Sequence, residues 1–276
     1  MQNTKAKIPV MFIVITVVAA CVLHFFKLMQ QAGKNIFDFD TGVFSYVIYA
    51  LMAFCAASCA LYAAVQPDFP EVFDTERKNK TFSSVVLLLS VSMFFDFLHQ
   101  CYNCYEYVQS VSYIEYVYLV PIGLSGLVAL LCSFYFLTFS LTYKNDNYDF
   151  RNFTWLHFAP LLWAFVRMLM IISRIVDIKN SFEICCEFLF LCVLLCFFFC
   201  VISAVERKGK GTTKLLFFSA LSTFSFSAIL TAARIIMVAA GSFEKINDVT
   251  FSNVTYMMVG VFALALVNDI NRRKEV

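Results

Sequence analysis

Residues Leu189–Cys200 read LFLCVLLCFFFC, an unbroken run of apolar side chains. A strand of a membrane barrel would alternate polar and apolar residues over segments of about ten, and this run does not alternate. A helix in lipid fits it, because a spanning segment has no water to pair with and must satisfy its own backbone hydrogen bonds. Runs of about 20 apolar residues, enough to cross roughly 30 Å of hydrocarbon, recur along the whole chain. They predict spans at 8–29, 43–65, 82–104, 115–142, 154–176, 181–204, 212–240 and 250–269. Composition agrees, since 276 residues that are 61% hydrophobic and 14% charged need the bilayer as solvent. The expected architecture is all-α: a polytopic transmembrane bundle of eight spans, forming a single integral membrane domain over 1–276.

Basic residues give the orientation. With the N-terminus inside, the cytoplasmic segments hold Lys5, Lys7, Arg77, Lys78, Lys80, Lys144, Arg151, Arg207, Lys208, Lys210, Lys214, Arg272, Arg273 and Lys274. The outer segments hold only Lys27, Lys34, Arg174, Lys179 and Lys245, while Arg167 and Arg234 lie within spans. This asymmetry obeys the positive-inside rule and predicts a multi-pass cell-membrane protein with both termini cytoplasmic. Val18-Ala19-Ala20-Cys21 resembles a lipoprotein signal lipobox, but hydrophobicity continues through Val22, Leu23 and Phe25, so a retained first span is expected.

The connections are short and no soluble domain is expected, so signalling would need a separate output partner. No Gly-Lys-Ser phosphate loop occurs, which argues against ATP hydrolysis. A Ser- and Phe-rich likeness between 83–97 and 216–229 falls short of an internal repeat.

Ionisable groups within a bilayer are costly, so their positions carry the functional signal. At about 1.5 Å of rise per residue, Asp96 and His99 lie roughly 20–24 Å from the cytoplasmic face. Arg167 lies just past the midplane of the fifth span, Glu183 and Glu187 in the first turns of the sixth, and Arg234 near the outer end of the seventh. His24 and Lys27 close the first span, Glu115 opens the fourth and Asn253 the eighth. Asp96, His99 and Asn103 share a helix face. The expectation is an outward-open cavity lined by the ligand-binding candidates Asp96, His99, Arg167, Glu187 and Arg234. The competing reading is that such groups snorkel or fix helix packing; it is favoured for Lys27, Arg174, Glu183 and Glu115, and disfavoured for the deeper Asp96, Arg167 and Glu187.

Eleven cysteines invite a redox reading. Cys101 and Cys104 form a Cys-x-x-Cys pair near the outer edge, where thiols exchange disulfides, and are the redox candidates. A zinc site on His99, Cys101 and Cys104 lacks an evident fourth ligand, so no metal or other cofactor is expected. Cys192, Cys196 and Cys200 form an apolar stripe. His-Glu-x-x-His, Gly-x-Asp and Gly-x-Ser-x-Gly patterns are absent from the spans, so no catalytic residue is assigned. Ser219, Thr223, Ser227 and Thr231 step by four along the seventh span, a period that predicts close helix approach with interhelical hydrogen bonds. Trp155 suits an interfacial anchor, and Trp163 lies near enough to Arg167 for a cation–π contact.

Two segments carry resemblances. Asp96-Phe97-Leu98-His99 resembles the Asp-Leu-Leu-His segment of membrane-associated sensor regions found ahead of bacterial histidine kinases and cyclases. Pro160-Leu161-Leu162-Trp163 followed by Arg167 is similar to a segment of uncharacterised bacterial multi-spanning membrane proteins. The leading expectation is a protein recognising a small polar or charged ligand from the extracytoplasmic side, as a transporter-like or accessory uptake module. The alternatives are a sensor acting through a separate output partner, and an intramembrane enzyme, either a thiol oxidoreductase or a lipid-linked transferase. Expected partners are the lipid bilayer, a small-molecule ligand and a membrane or cytoplasmic protein, with no nucleic acid.

Overall fold

The computed structural model describes residues 2–31, 41–66, 79–110, 116–144, 154–174, 181–206, 212–239 and 251–272. Among them lie eight helices long and apolar enough to cross a membrane, so the all-α bundle is the observed fold. They are α1 (Gln2–Gln31), α2 (Thr41–Val65), α3 (Lys80–Ser110), α4 (Tyr116–Thr142), α5 (Ala159–Arg174), α6 (Ser181–Val205), α7 (Thr212–Ala239) and α8 (Phe251–Arg272). Large apolar residues such as Phe94, Phe95, Phe134 and Phe199 are exposed, which suits a surface solvated by lipid.

Two boundaries differ from expectation for identifiable reasons. Helix α3 continues to Ser110 because the stretch after Cys104 loses hydropathy without containing a helix breaker. The fifth span opens with a 3-10 turn at Thr154–Phe158 before α5 begins. Pro160 explains the change, because it has no N–H for the Leu156 carbonyl and its ring would crowd that carbonyl in a continuous α-helix. As the second residue of α5 it sits in the first turn, where no intrahelical donor is required. His157, in the 3-10 turn, is buried with its ring edge-on to Tyr135 at 5.6 Å.

The chain forms two compact units. Unit one comprises Met1–Phe69 and Lys210–Val267, and unit two comprises Pro70–Gly209 and Asn268–Val276.

In unit two, α3 packs on α4, α4 on α5, and α5 on α6. The α3–α4 seam is built from small residues seven apart. Ser83 and Ser140 exchange hydrogen bonds, each hydroxyl donating to the other's carbonyl at 2.9 Å. Ser90 Oγ donates to Ser133 O at 2.8 Å. Gly126, the next step along α4, lies against Gln100 and Phe97, where a Cβ would stand 3.1 Å from Gln100 Cβ. Partner numbers fall on α4 as they rise on α3, so the helices are antiparallel. A seven-residue step keeps one face in contact in the manner of a left-handed coil, and small residues bring the backbones close enough to exchange hydrogen bonds. Phe82, Phe139 and Tyr143 fill the space beside this seam edge to face. Asn79 caps α3 by accepting from Phe82 N at 3.2 Å, and its amide donates to Asp269 Oδ1 at 2.6 Å.

In unit one, α1 packs on α2 and α7, and α2 on α7. Helix α7 is the interior element: 78% of its apolar window is buried, against 22% for α1. Cys21 Sγ donates to Ala228 O at 3.5 Å, and His24 Nδ1 bonds Ile229 O at 2.7 Å. A carbonyl only accepts, so that nitrogen carries the proton. Leu28 continues the contact with Ala233 and Met237. Numbers rise together on both helices, which makes α1 and α7 parallel. Lys27, one turn after His24, is 2% exposed; the expected snorkelling gives way to burial inside the protein.

Helix α8 runs antiparallel to α7. A Cβ on Gly260 would overlap Ser227 Oγ and stand 3.0 Å from Ser227 Cβ and 3.4 Å from Phe224 Cα. The small-residue stripe of α7 therefore permits close approach, as expected. Its hydroxyls mostly bond their own helix: Ser219 to Leu216 O, Ser227 to Phe224 O and Thr231 to Ser227 O. The interhelical part of that expectation is met by Thr231 alone among the described bonds of the stripe, through Met257 Sδ at 3.4 Å.

Candidate functional site

Asp96 and Arg167, placed by sequence at similar depth on different spans, form an ion pair in unit two. Arg167 Nη2 donates to Asp96 Oδ1, with Asp96 fully buried and the Arg167 side chain 7% exposed. Trp163, one turn before Arg167 on α5, donates its indole Nε1 proton to Asp96 Oδ2 at 3.1 Å. The guanidinium carbon also lies 5.7 Å from the Trp163 ring centroid, which places the expected cation–π contact. Both carboxylate oxygens thus accept from α5.

Gln100, one turn beyond Asp96 and 1% exposed, completes the group. A guanidinium offers only donors, so the amide presents its oxygen, which accepts from Arg167 Nη1 at 3.3 Å and Nη2 at 3.1 Å. The tight approach of Gly126 to Gln100 Cβ fixes this side chain from α4. His99 and Asn103, half-buried, occupy successive turns of α3 toward its C-terminal end, with Asn103 Nδ2 and His99 Nδ1 3.2 Å apart. Cys132 on α4, fully buried, lies within the electrostatic reach of Asp96.

The remaining candidates divide. Glu187 is half-buried on α6, the helix packed against α5. Arg234 belongs to unit one, where it is 8% exposed and its Nη1 donates to Asn253 Oδ1 at 3.1 Å. Cys101 is exposed and Cys104 half-buried, both as free thiols on α3, and a Cβ on Gly123 would reach 4.0 Å from Cys104 Sγ. Sequence reasoning overlooked Gln100 and the Asp96 bond of Trp163. Gln100 had a signal, an amide at i+4 from a buried acid; the Trp163 bond had none, because spacing within one helix says nothing of which way it turns toward another.

No family model, no curated protein and no solved structure matches the chain. What the site does must follow from its own chemistry. It pairs one guanidinium with one carboxylate, and the Trp163 indole and the Gln100 amide bond that pair.

Proposed function

We propose that this integral membrane protein recognises a small charged ligand at the Asp96–Arg167 position, reached from the extracytoplasmic side, as a transporter-like or accessory uptake module with both termini cytoplasmic. The observation that carries this reading is the burial of a complete carboxylate–guanidinium pair together with Trp163 and Gln100. Apolar residues of similar volume hold helices together as well as a buried ion pair does, often better by about 1–4 kcal/mol. Charges kept inside a bilayer protein mark ligand or ion pathways by default. His99 and Asn103 continue the polar line along α3 toward the end that the basic-residue pattern puts outside.

The test is thermal unfolding of the purified protein in nanodiscs against small anions, cations and zwitterions. A ligand of this site raises the midpoint of the natural protein, because only the folded state binds it, and leaves the Asp96→Leu/Arg167→Leu protein unmoved. If no probe separates the two proteins, the recognition reading fails. Uptake into proteoliposomes then separates a transporter from a sensor, which binds without moving solute.

A further inference from the structure

Asp96 itself shows what this position accepts. Its carboxylate takes Arg167 on one oxygen and the Trp163 indole N–H, at 3.1 Å, on the other. The donors are set for a planar group with two acceptor oxygens and a single negative charge. We propose that Asp96 is a resident stand-in for a small monocarboxylate ligand, which takes its place on Arg167 when Asp96 gains a proton; this deepens, and rests on, the ligand-recognition reading above.

The argument is one of charge. One guanidinium in a low-dielectric site compensates one anion, and a second negative charge beside it would be buried without a partner. An incoming carboxylate therefore binds only as Asp96 is neutralised. A proton from solvent forms the O–H bond on Asp96, the Asp96–Arg167 ion pair opens, and the ligand carboxylate accepts from Arg167. The Asp96 hydroxyl becomes a donor to the same ligand, and the net charge of the site is unchanged. A doubly charged phosphate would exceed what one guanidinium compensates, and a spherical chloride lacks the two separate acceptor atoms that Arg167 and Trp163 address.

Among the described residues, the titratable groups around Asp96 are Arg167, Cys132 and His99. Arg167 on α5 stays charged throughout, Cys132 on α4 is fully buried, and His99 lies one turn away on α3 with Glu106 two turns beyond it. His99 is the competing proton acceptor, and the experiment separates it from Asp96.

Trp155 is 91% exposed and Trp163 fully buried, so Trp155→Phe leaves Trp163, bonded to Asp96, as the sole tryptophan. The full chain carrying this change, in nanodiscs, is titrated with acetate and butyrate at constant ionic strength between pH 5.5 and 7.5, with chloride, inorganic phosphate and glycine as comparison probes. Trp163 emission is expected to change saturably with the carboxylates, and their affinity to fall about tenfold per unit rise in pH, the slope for one proton taken up per anion. Adding Asp96→Asn should abolish the slope and keep the binding; adding Arg167→Gln to that should abolish the binding. Should the slope vanish with His99→Gln and persist in Asp96→Asn, the proton belongs to His99 and the proposal falls. Carboxylate binding without a pH slope in the Trp155→Phe protein overturns the exchange and leaves ligand recognition standing. A response to glycine alone overturns the ligand class in the same way. Silence toward every probe overturns both.

Discussion

Trp163 and Arg167, four residues apart on α5, grip opposite oxygens of the same Asp96 carboxylate. The acid of α3 is thereby tied to one face of α5, and removing either charge strands the other.

Arg167→Ala should be strongly destabilising, by about 3–5 kcal/mol, because it leaves a carboxylate buried and unpaired. Asp96→Leu combined with Arg167→Leu should recover most of that loss. Unfolding midpoints in a mild detergent with graded denaturant decide it. Equal losses in the single and double variants would mean that the pair adds nothing beyond its packing volume.

Gly260→Ala tests the α7–α8 contact, where the new methyl would overlap the Ser227 hydroxyl. Overpacking of this kind costs about 1–3 kcal/mol. Ser227→Gly removes the obstructing atoms, so the double variant should lose less than the two single losses added, by about 0.5 kcal/mol or more. Strict additivity would place the two residues apart.

Cys101 and Cys104 should both react with a membrane-impermeant maleimide without prior reduction, Cys101 faster because Cys104 is covered from the Gly123 side. Neighbours at i and i+3 on a helix have Cα atoms about 5 Å apart, within disulfide range, so the oxidised alternative is sterically open. Labelling that appears only after reductant would revive thiol exchange at this pair.

Reporter fusions after Lys78, Asp146 and Lys208 should read as cytoplasmic, and those after Ile36, Ser110 and Ile246 as exterior, following the basic-residue asymmetry. Two adjacent sites with inverted readings would remove a span from the membrane.

The spans were legible in the sequence because hydropathy over about 20 residues depends on the bilayer rather than on neighbouring helices. Asp96 and Arg167 were legible for a related reason: rise per residue gives depth, and both fell at similar levels. Which face each helix turns inward was not legible. His24 looked like a residue at the end of a span until α7 supplied the Ile229 carbonyl, and Lys27 beside it is buried as well. Ser83, Ser90, Gly126, Ser133 and Ser140 carried a readable seven-residue spacing, but it acquires meaning only when α3 and α4 are laid antiparallel. The stripe of α7 shows the opposite error, since its period was read correctly while its hydroxyls turned mainly to their own backbone.

Unit one is assembled from two stretches, Met1–Phe69 and Lys210–Val267, with four consecutive spans of unit two between them in sequence. During synthesis α1 and α2 enter the membrane before α7, yet the bond from His24 to Ile229 joins residues 205 positions apart. The ribosome must deliver α3 to α6 before that partner exists, at roughly 5–20 residues per second. For that interval the histidine sits in a nascent helix without the carbonyl that later accepts its proton. Until α7 arrives, that side chain must find water or another acceptor for its N–H. Maturation of the first helix is thus timed by the seventh, and a polypeptide ending at Gly209 would carry α1 without the carbonyl that His24 bonds and α3 without the carboxylate that Asn79 bonds.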